Sequence, residues 1–438
     1  MSRGSYQIAL PIISAALWLF TFPYIEAQQS TGSISGSVHD SSALPLSAAQ
    51  VRLVNVATGA EREVRANESG DFVISGVDPG QYKVNVTASG FKTLERTGVV
   101  LSASERLPLG DMILQIGSVS ERITVSAEGV AVQTASAERS GSITNRQVEG
   151  LLVYGRSITS LIALLPGVVD PTGAAARGIG GGSATSFNVN GNRSAQNNFT
   201  LDGVTMTAVG GAPNGTFGAS TEAISEIKIL LSNYQAEYGR LSGSNVQMVT
   251  KSGARDFHAS ALYYKRHEEF NSNTFFSNRL GLSRPINRFN TYTYNVGGPV
   301  TIPRLFNKNR EKLFFFWNHE YIPQKTSSAT QQVTTPSDLE RRGDFSQTLD
   351  VSGRLVPIFD PVSRLAVPGN IIPASRLDAN GLALLKFFPL PNFLNTDISK
   401  RQYNFVTRWG GENPLSLYTL KLDYNISSND SLSMTAAP

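Results

Sequence analysis

The stretch SLYTLKLDYNISS near the end of this 438-residue chain sets the hardest constraint on its fold. Tyr418, Leu420, Leu422, Tyr424 and Ile426 alternate with Thr419, Lys421, Asp423 and Asn425. A period of two places the apolar residues on one face of an extended strand and the polar residues on the other. A strand of about 9–11 residues with one greasy face has the length a tilted transmembrane strand needs, and aromatic residues near its ends suit the membrane interface. The texture recurs after Gly253 in DFHASALYYKRHEEF, RFNTYTYNVGGPV, KLFFFWNHEYIP and QYNFVTRWG. Patterning alone leaves two folds open, a large soluble sandwich and the wall of a membrane barrel. Within the first of these segments Glu268 and Glu269 would point to opposite faces of a strand, which suits a solvated rim better than acid–base work. Residues 322–400, polar and proline-bearing, read as an extended loop.

Composition agrees with a β-rich chain. Hydrophobic content of 40% with 16% charge and 39 glycines favours turns and strands over helices. The net charge of +4 comes without a run of basic residues, so no nucleic-acid partner is expected. The chain has no cysteine, which excludes disulfide scaffolds, thiolate metal sites and a cysteine nucleophile without arguing against export. Four dispersed histidines, His39, His258, His267 and His319, with no His-Glu-x-x-His or Gly-x-Ser-x-Gly, leave no expected metal, cofactor or enzymatic activity.

The N-terminus points to export. Arg3 precedes an apolar run from Ile8 to Phe22, and Ile25-Glu26-Ala27 ends in a small residue, the pattern of a secretory signal peptide spanning residues 1–27. A membrane anchor would need about 20 continuous apolar residues, and Pro11 and Pro23 bracket a shorter run. No later run is long enough for a spanning helix, so membrane insertion would have to be as a β-barrel.

Residues 28–116 read as a small antiparallel sandwich. In QYKVNVTA, Tyr82, Val84 and Val86 alternate with Lys83, Asn85 and Thr87, and Ser69-Gly70-Asp71 and Asp78-Pro79-Gly80 supply turns. Through GSVHDSSALPLSAAQVRLVNVATG and NESGDFVISGVDPGQYKVNVTASGF this stretch resembles the carboxypeptidase regulatory-like, transthyretin-like domain. With only His39 and no His-x-x-Glu, it reads as a non-catalytic accessory domain. Residues 117–136 are small and polar, a linker with one strand-capable island around Ile123 and Val125.

Residues 137–253 read as a compact α/β unit. Thr144-x-x-Gln147 is a capping-box match ahead of Val148, Leu151 and Leu152. Ile158, Leu161, Ile162 and Leu165 follow at helical spacing, and Pro166-Gly167 stops them. PTGAAARGIGGGSAT reads as a flexible loop, and it lacks the Gly-Lys-Ser/Thr of a phosphate loop. SFNVNGNRSAQNNFTLDGVTM then carries five asparagines. Asn188, Asn190 and Asn192 alternate with Phe187 and Val189, Phe199 and Leu201 share a face, and Asp202-Gly203 is a favoured hairpin turn. Strands are expected over Glu226–Leu231 and Ser244–Thr250, and residues 254–438 hold the aromatic strands.

The order of these segments resembles the TonB-dependent outer-membrane receptors, in particular the Oar-like branch with an N-terminal regulatory-like domain. VNGNRSAQNNFTLDGV, EIKILLSNYQAEYGRLSGSNVQMVTKSGARDFHAS, NVGGPVTIPRLF with FFFWNHEY, and ERRGDFSQTLD with NIIPASRLD carry the resemblance. It implies a mainly β fold: a sandwich, an α/β plug, then the first strands of a barrel of about 22 strands with the plug inside it. The final SLSMTAAP begins another alternating strand, so an N-terminal part of a longer receptor is expected. The resemblance further implies the bacterial outer membrane, with the sandwich and the plug opening facing the periplasm. Its implied partners are membrane lipid, an unidentified extracellular ligand, and TonB with its inner-membrane energising complex.

ERITVSA resembles a TonB box, and Ile123, Thr124, Val125, Ser126 and Ala127 are its candidate TonB-binding residues, because an unpaired strand-capable island is what strand addition uses. Alternatively, Ile123 and Val125 pack as a last strand of the sandwich. Asn188, Asn190, Asn197, Asn198, Asp202 and Gly203 are the candidate plug framework, their polar face meeting the inner wall through hydrogen bonds. Asn192-Arg193-Ser194 and Asn198-Phe199-Thr200 match a glycosylation sequon, which a place inside a bacterial barrel makes irrelevant. Energised uptake is the first functional expectation, and an envelope structural, adhesion or export-related role is the second.

Overall fold

A computed structural model describes residues 30–126, 136–151, 158–170, 187–206, 219–239, 242–428 and 430–437. The signal segment, Ala127 and the Gly/Ala-rich loop 171–185 lie outside the described residues. The chain divides into two compact bodies, one formed from 1–262, 293–320 and 416–438 and the other from 263–292 and 321–415. No helix among the described residues is long and apolar enough to cross a membrane.

Within the first body, the sandwich comprises β1 (Gly32–Asp40), β2 (Gln50–Asn55), β3 (Glu61–Arg65), β4 (Asp71–Val77), β5 (Gly80–Thr87), β6 (Thr93–Leu101), β7 (Arg106–Leu114) and β8 (Arg122–Ser126). One sheet runs β4-β1-β7 and the other β3-β2-β5-β6-β8. Tyr82, Val84 and Val86 point into a shared core with Ile34, Val51 and Leu53, as their alternation requires. The sandwich is not purely antiparallel, because β1 pairs with β7, and β6 with β8, in parallel. At Ser102–Glu105 the chain crosses from one sheet to the other instead of folding back as a hairpin, so strand direction is decoupled from sequence neighbourhood.

The α/β unit follows with β9 (Arg139–Thr144), α1 (Asn145–Gly150), α2 (Ile158–Ile162), β10 (Val168–Val169), β11 (Asn188–Val189), β12 (Asn198–Leu201), β13 (Val204–Thr205), β14 (Ile224–Ser232) and β15 (Asn245–Thr250). Gln147 begins α1 by accepting from the Thr144 N–H at 3.0 Å, the glutamine half of the capping box. Five strands form a sheet in the order β13-β12-β15-β14-β9. Its core gathers Leu161, Ile162, Phe187, Phe199, Ile227 and Val246, with Phe187 edge-on to Phe199 at 5.7 Å.

The aromatic region holds β16 (His258–Arg266), α3 (Phe275–Arg279), β17 (Asn287–Pro299), β18 (Leu313–Ile322), β19 (Gln324–Ser327), β20 (Gln331–Val333), α4 (Ala379–Leu385), α5 (Thr396–Ser399), β21 (Phe405–Thr407), β22 (Gly410–Glu412), β23 (Leu415–Asn425) and β24 (Ser431–Ala436). One sheet runs β22-β19-β17-β18-β23-β24, with β16 also paired to β17. In the first body, Leu417, Thr419 and Lys421 of β23 and Phe314, Phe316, Asn318 and Glu320 of β18 are buried on one face. The alternate residues include Tyr418, which lies exposed and stacks on Trp317 at 6.4 Å. Buried polar residues opposite exposed aromatics are the inverse of a soluble sandwich and the pattern of a barrel wall.

The second body corrects three expectations. QYNFVTRWG is not a long strand, because only β21 is extended and it pairs with β20 in a two-stranded ribbon. Arg408 draws the chain aside by donating to Thr330 Oγ1 at 2.8 Å and to Ser283 O and Ser277 Oγ at 2.5 Å. Glu268 and Glu269 do not sit on a strand either: β16 ends at Arg266, and they begin a 3-10 turn. Glu268 is buried against Arg288, whose Nε lies 2.7 and 2.9 Å from its two oxygens, while Glu269 is exposed. Residues 322–400 are more ordered than an extended loop. Asn370 donates to Phe345 O and Val356 O at 3.1 and 2.7 Å and accepts from the Ile358 N–H at 2.9 Å, and Arg341 caps the carbonyls of Phe388 and Pro389 after α4.

Candidate functional site

The α/β unit is held internally by buried side-chain amides and externally by polar contacts to β18, β23 and β24. The internal set begins where the alternation of Asn188, Asn190 and Asn192 fails. Strand β11 ends at Val189, and the chain turns through Asn190 and Gly191 at φ 49° and 80°. The asparagines therefore do not line a polar strand face aimed at the wall, as the sequence suggested. Asn188, half-buried, pairs with Val169, Asn190 donates to Leu231 O at 3.1 Å, and Asn192 donates to Ser242 O at 3.3 Å. Asn198 accepts from Thr205 Oγ1 at 2.9 Å across the hairpin.

Asn197 is the centre of this set. Fully buried, it donates to Phe187 O at 2.8 Å and accepts both the Ser244 N–H at 3.1 Å and the Ser244 hydroxyl at 2.9 Å. A loop that would leave bare carbonyls and amides inside the unit is thus satisfied by one side chain.

The Asp202-Gly203 turn is the external anchor. Asp202 and Gly203 take φ 46° and 85°, the left-handed pair of a type I′ hairpin that joins β12 to β13. The turn presents the Asp202 carboxylate to the Thr250 N–H at 2.9 Å, the Thr250 hydroxyl at 2.6 Å, the Thr435 hydroxyl of β24 at 2.7 Å and the Lys421 ammonium of β23 at 3.6 Å. A second anchor lies at Glu320 of β18, which accepts from Ser220 at 3.1 Å and from Thr293 of β17 at 2.9 Å.

Two buried charges that the sequence did not single out flank the start of β9. Lys228 of β14 lies 3.1 Å from Glu138, with side chains 5% and 2% exposed. Its one visible signal is a lysine inside the apolar run Ile227 to Leu231. Glu226, two residues earlier, accepts from the Ala103 N–H of the sandwich at 3.3 Å, while Arg106 donates to Gln235 at 2.7 Å. Burial pushes the Glu226 carboxyl above its ordinary range, outweighing the Ser102 hydroxyl, the Ala103 N–H and Lys228, which pull it down.

The candidate TonB-binding residues are not an unpaired island. Residues 122–126 form β8, an edge strand paired in parallel with β6: Leu94 faces Ile123, Arg96 faces Val125 and Thr97 faces Ser126. Ile123 packs against the sandwich core, while Thr124, Val125 and Ser126 are exposed. In the second body a cavity of about 330 Å³ is lined by residues that include Thr274, Phe276, Arg279, Thr330 and Tyr403. Among the described residues no group of three or more His, Asp or Glu side chains is placed to hold a metal.

Residues 33–115 match the model of the carboxypeptidase regulatory-like domain, residues 121–245 that of the TonB-dependent receptor plug domain, and residues 249–437 that of an outer membrane beta barrel domain. The chain belongs to the TonB-dependent outer-membrane receptors. The α/β unit is therefore the plug, and the sheet it rests on is barrel wall. The TonB-dependent transporter Oar of Myxococcus xanthus is 25% identical over 255 residues, which cover 54% of this chain and 22% of that protein. The receptor chain thus spans about a fifth of the length of that curated relative. Among solved structures, the ferric enterobactin receptor of Pseudomonas aeruginosa has 12% identity, covering 68% of this chain and 32% of its own at a TM-score of 0.33. A type II cohesin–X-dockerin complex from Acetivibrio cellulolyticus has 22% identity over 20% of this chain and 58% of its own, at a TM-score of 0.17. The receptor's family is one of receptors and transporters, not of enzymes.

Proposed function

We propose that the receptor takes up an unidentified extracellular ligand through a barrel that the plug gates, with TonB supplying the energy by strand pairing at residues 122–126. In this reading the sandwich and the plug opening face the periplasm, where TonB reaches them. The observation that carries it is the seating of the plug on a few polar contacts, Asp202 on Thr435 and Lys421 and Ser220 on Glu320. A hydrogen bond to a charged group contributes about 1.5–3 kcal/mol net, so a seat of a few such contacts can open while the apolar plug core stays packed. The segment 122–126 precedes β9, an edge strand of the plug sheet, so tension applied there reaches the plug at its least embedded strand. The envelope or adhesion role remains the competing reading, and the exposed Phe275, Phe276 and Phe387 of the second body suit a surface contact.

A deletion strain complemented with the intact receptor tests the proposal. Wild type is expected to restore ligand-dependent growth, and a receptor lacking residues 122–126 is expected to reach the outer membrane in equal amount without restoring it. Equal restoration by both would overturn the role of residues 122–126, and a wild-type receptor that fails to restore ligand-dependent growth would overturn uptake and favour the structural role.

A further inference from the structure

We propose that the sandwich is a latch on the plug: one end of it is bonded to plug and barrel wall together, and the plug leaves its seat only after the sandwich releases the wall. This rests on the reading that the plug gates the barrel, and it adds what keeps the gate shut.

The strand directions decide which end of the sandwich does this. Strands β2 and β6 both run antiparallel to β5, with Asn55 opposite Tyr82 and Leu101 opposite Gly80. The β2–β3 turn, the β4–β5 turn and the β6–β7 crossing therefore emerge side by side. The crossing meets the plug, where Glu226 accepts from the Ala103 N–H at 3.3 Å and Arg106 donates to Gln235 at 2.7 Å. The β2–β3 turn meets Arg255. Asn55 fixes that turn by accepting the N–H groups of Ala57 and Thr58 at 2.9 and 3.0 Å. The carbonyl of Ala57 then accepts from the Arg255 N–H at 3.1 Å, and that of Thr58 from Arg255 Nε at 3.0 Å. From the β4–β5 turn, the Asp78 carboxyl lies within range of the charges of Lys421 and Asp423 of β23 and of Asp202 itself.

Arg255 belongs to the wall. Two residues before it, a Cβ on Gly253 would run into the carbonyls of Phe315 and Gly298, so this segment lies flush on β17 and β18. The guanidinium also donates to Glu311 at 2.6 Å, in the turn between those strands. Asn307 holds that turn by donating to Val300 O and Leu313 O and accepting from the Glu311 and Lys312 N–H groups, each at 2.9 Å. Asn425, the last residue of β23, donates to Glu311 O at 2.9 Å. The sandwich turn is fitted to this rigid mount, since Gly59 takes φ 67° and a Cβ there would fall on the Arg255 guanidinium.

A body bonded to two partners resists their separation until one set of bonds gives way. On the plug side Ala103 and Ser104 are buried, whereas on the wall side the Arg255 and Glu311 side chains are 41% and 47% exposed. Water competes best for exposed polar contacts, so the wall side is the one that releases.

Opening of the intact receptor in planar lipid bilayers tests this, at fixed voltage and at a urea concentration where the wild-type channel opens rarely. Gly59→Asn supplies a residue that tolerates positive φ while evicting the guanidinium, and Arg255→Ala removes it. Each is expected to open about tenfold more often than wild type, for the loss of two or so hydrogen bonds. Ala57→Cys with Arg255→Cys turns the same contact into a lock. The chain has no native cysteine, and the backbone hydrogen bond holds the two residues about as close as neighbouring strands, roughly 5 Å, within disulfide reach. Oxidised, with the disulfide confirmed by mass, this receptor is expected to open no more often than wild type, and reduced about tenfold more often. Reversal by reductant separates a latch from damage to the fold. Wild-type opening in both Gly59→Asn and Arg255→Ala, or equal opening of the cysteine pair in its two redox states, would overturn the latch. A wild-type receptor that conducts freely without urea would instead show that the plug does not close the barrel, and would overturn the gating reading beneath it.

Discussion

Removing the Glu138 charge should loosen the plug at β9 more than any other part of it. Glu138 and Lys228 are 3.1 Å apart with side chains 2% and 5% exposed, and Lys228 sits opposite Ser142 in the β9–β14 ladder. Glu138→Gln leaves the lysine ammonium buried without its counter-charge. Breaking one side of a buried pair costs about 3–5 kcal/mol, whereas replacing both charges by apolar groups of similar volume is commonly neutral or stabilising. At about 1.4 kcal/mol per factor of ten, β9 amides that exchange through local opening should then exchange roughly 150–4,000 times faster. Hydrogen exchange on the receptor in lipid nanodiscs reads this directly at Ser140–Thr144, with β15 as the internal reference. Glu138→Met combined with Lys228→Met should return β9 close to the wild-type rate. A change below tenfold in the single variant, or a double variant as labile as the single, would show that the pair does not hold this strand.

The contact between sandwich and plug should weaken as pH rises. Burial, with the nearby Glu105 charge adding to it, makes Glu226 hold its proton more tightly when docked, so the docked state binds more protons between the ordinary carboxylate range and the raised value. Docking strength is therefore full below the ordinary range and lost as pH climbs through the raised one, a slope that cross-linking of Arg106 to the Gln235 region can follow and that Glu226→Gln should flatten. Asn197→Ala strands Phe187 O and the Ser244 N–H in the plug interior at about 1–3 kcal/mol each, so limited proteolysis should cut near residues 187–198 far sooner than in wild type, and an unchanged rate would refute the bridging role.

What could be read from the sequence was local. The alternation in β23 survives because a wall strand meets two different environments at once, burying Thr419 and Lys421 and exposing Tyr418. The same holds for β5, whose apolar residues fill the sandwich core. Strand partners are a different matter: nothing in ERITVSA says that it lies parallel to β6, and nothing around Lys228 names Glu138. Such pairings are made by chain crossings, and periodicity carries no information about them. The asparagines failed for a related reason. A two-residue period was extended through Asn190-Gly191, where the backbone leaves the extended region and the face count resets.

Asp202 separates the two kinds of information within one residue. The hairpin needs a residue that tolerates φ of 46° beside Gly203, and asparagine would serve it as well as aspartate. That requirement is local, and the Asp-Gly pair announces it. The seat on the wall needs more, because one group must accept from the Thr250 N–H, the Thr250 hydroxyl and the Thr435 hydroxyl while facing Lys421. An ionised carboxylate is acceptor-only, with two oxygens and a negative charge, whereas an amide would turn one end into a donor and leave the largely buried Lys421 ammonium without its charge match. The turn thus explains why an aspartate is allowed at this position, and the wall explains why an asparagine, otherwise abundant throughout this stretch, would not do its work.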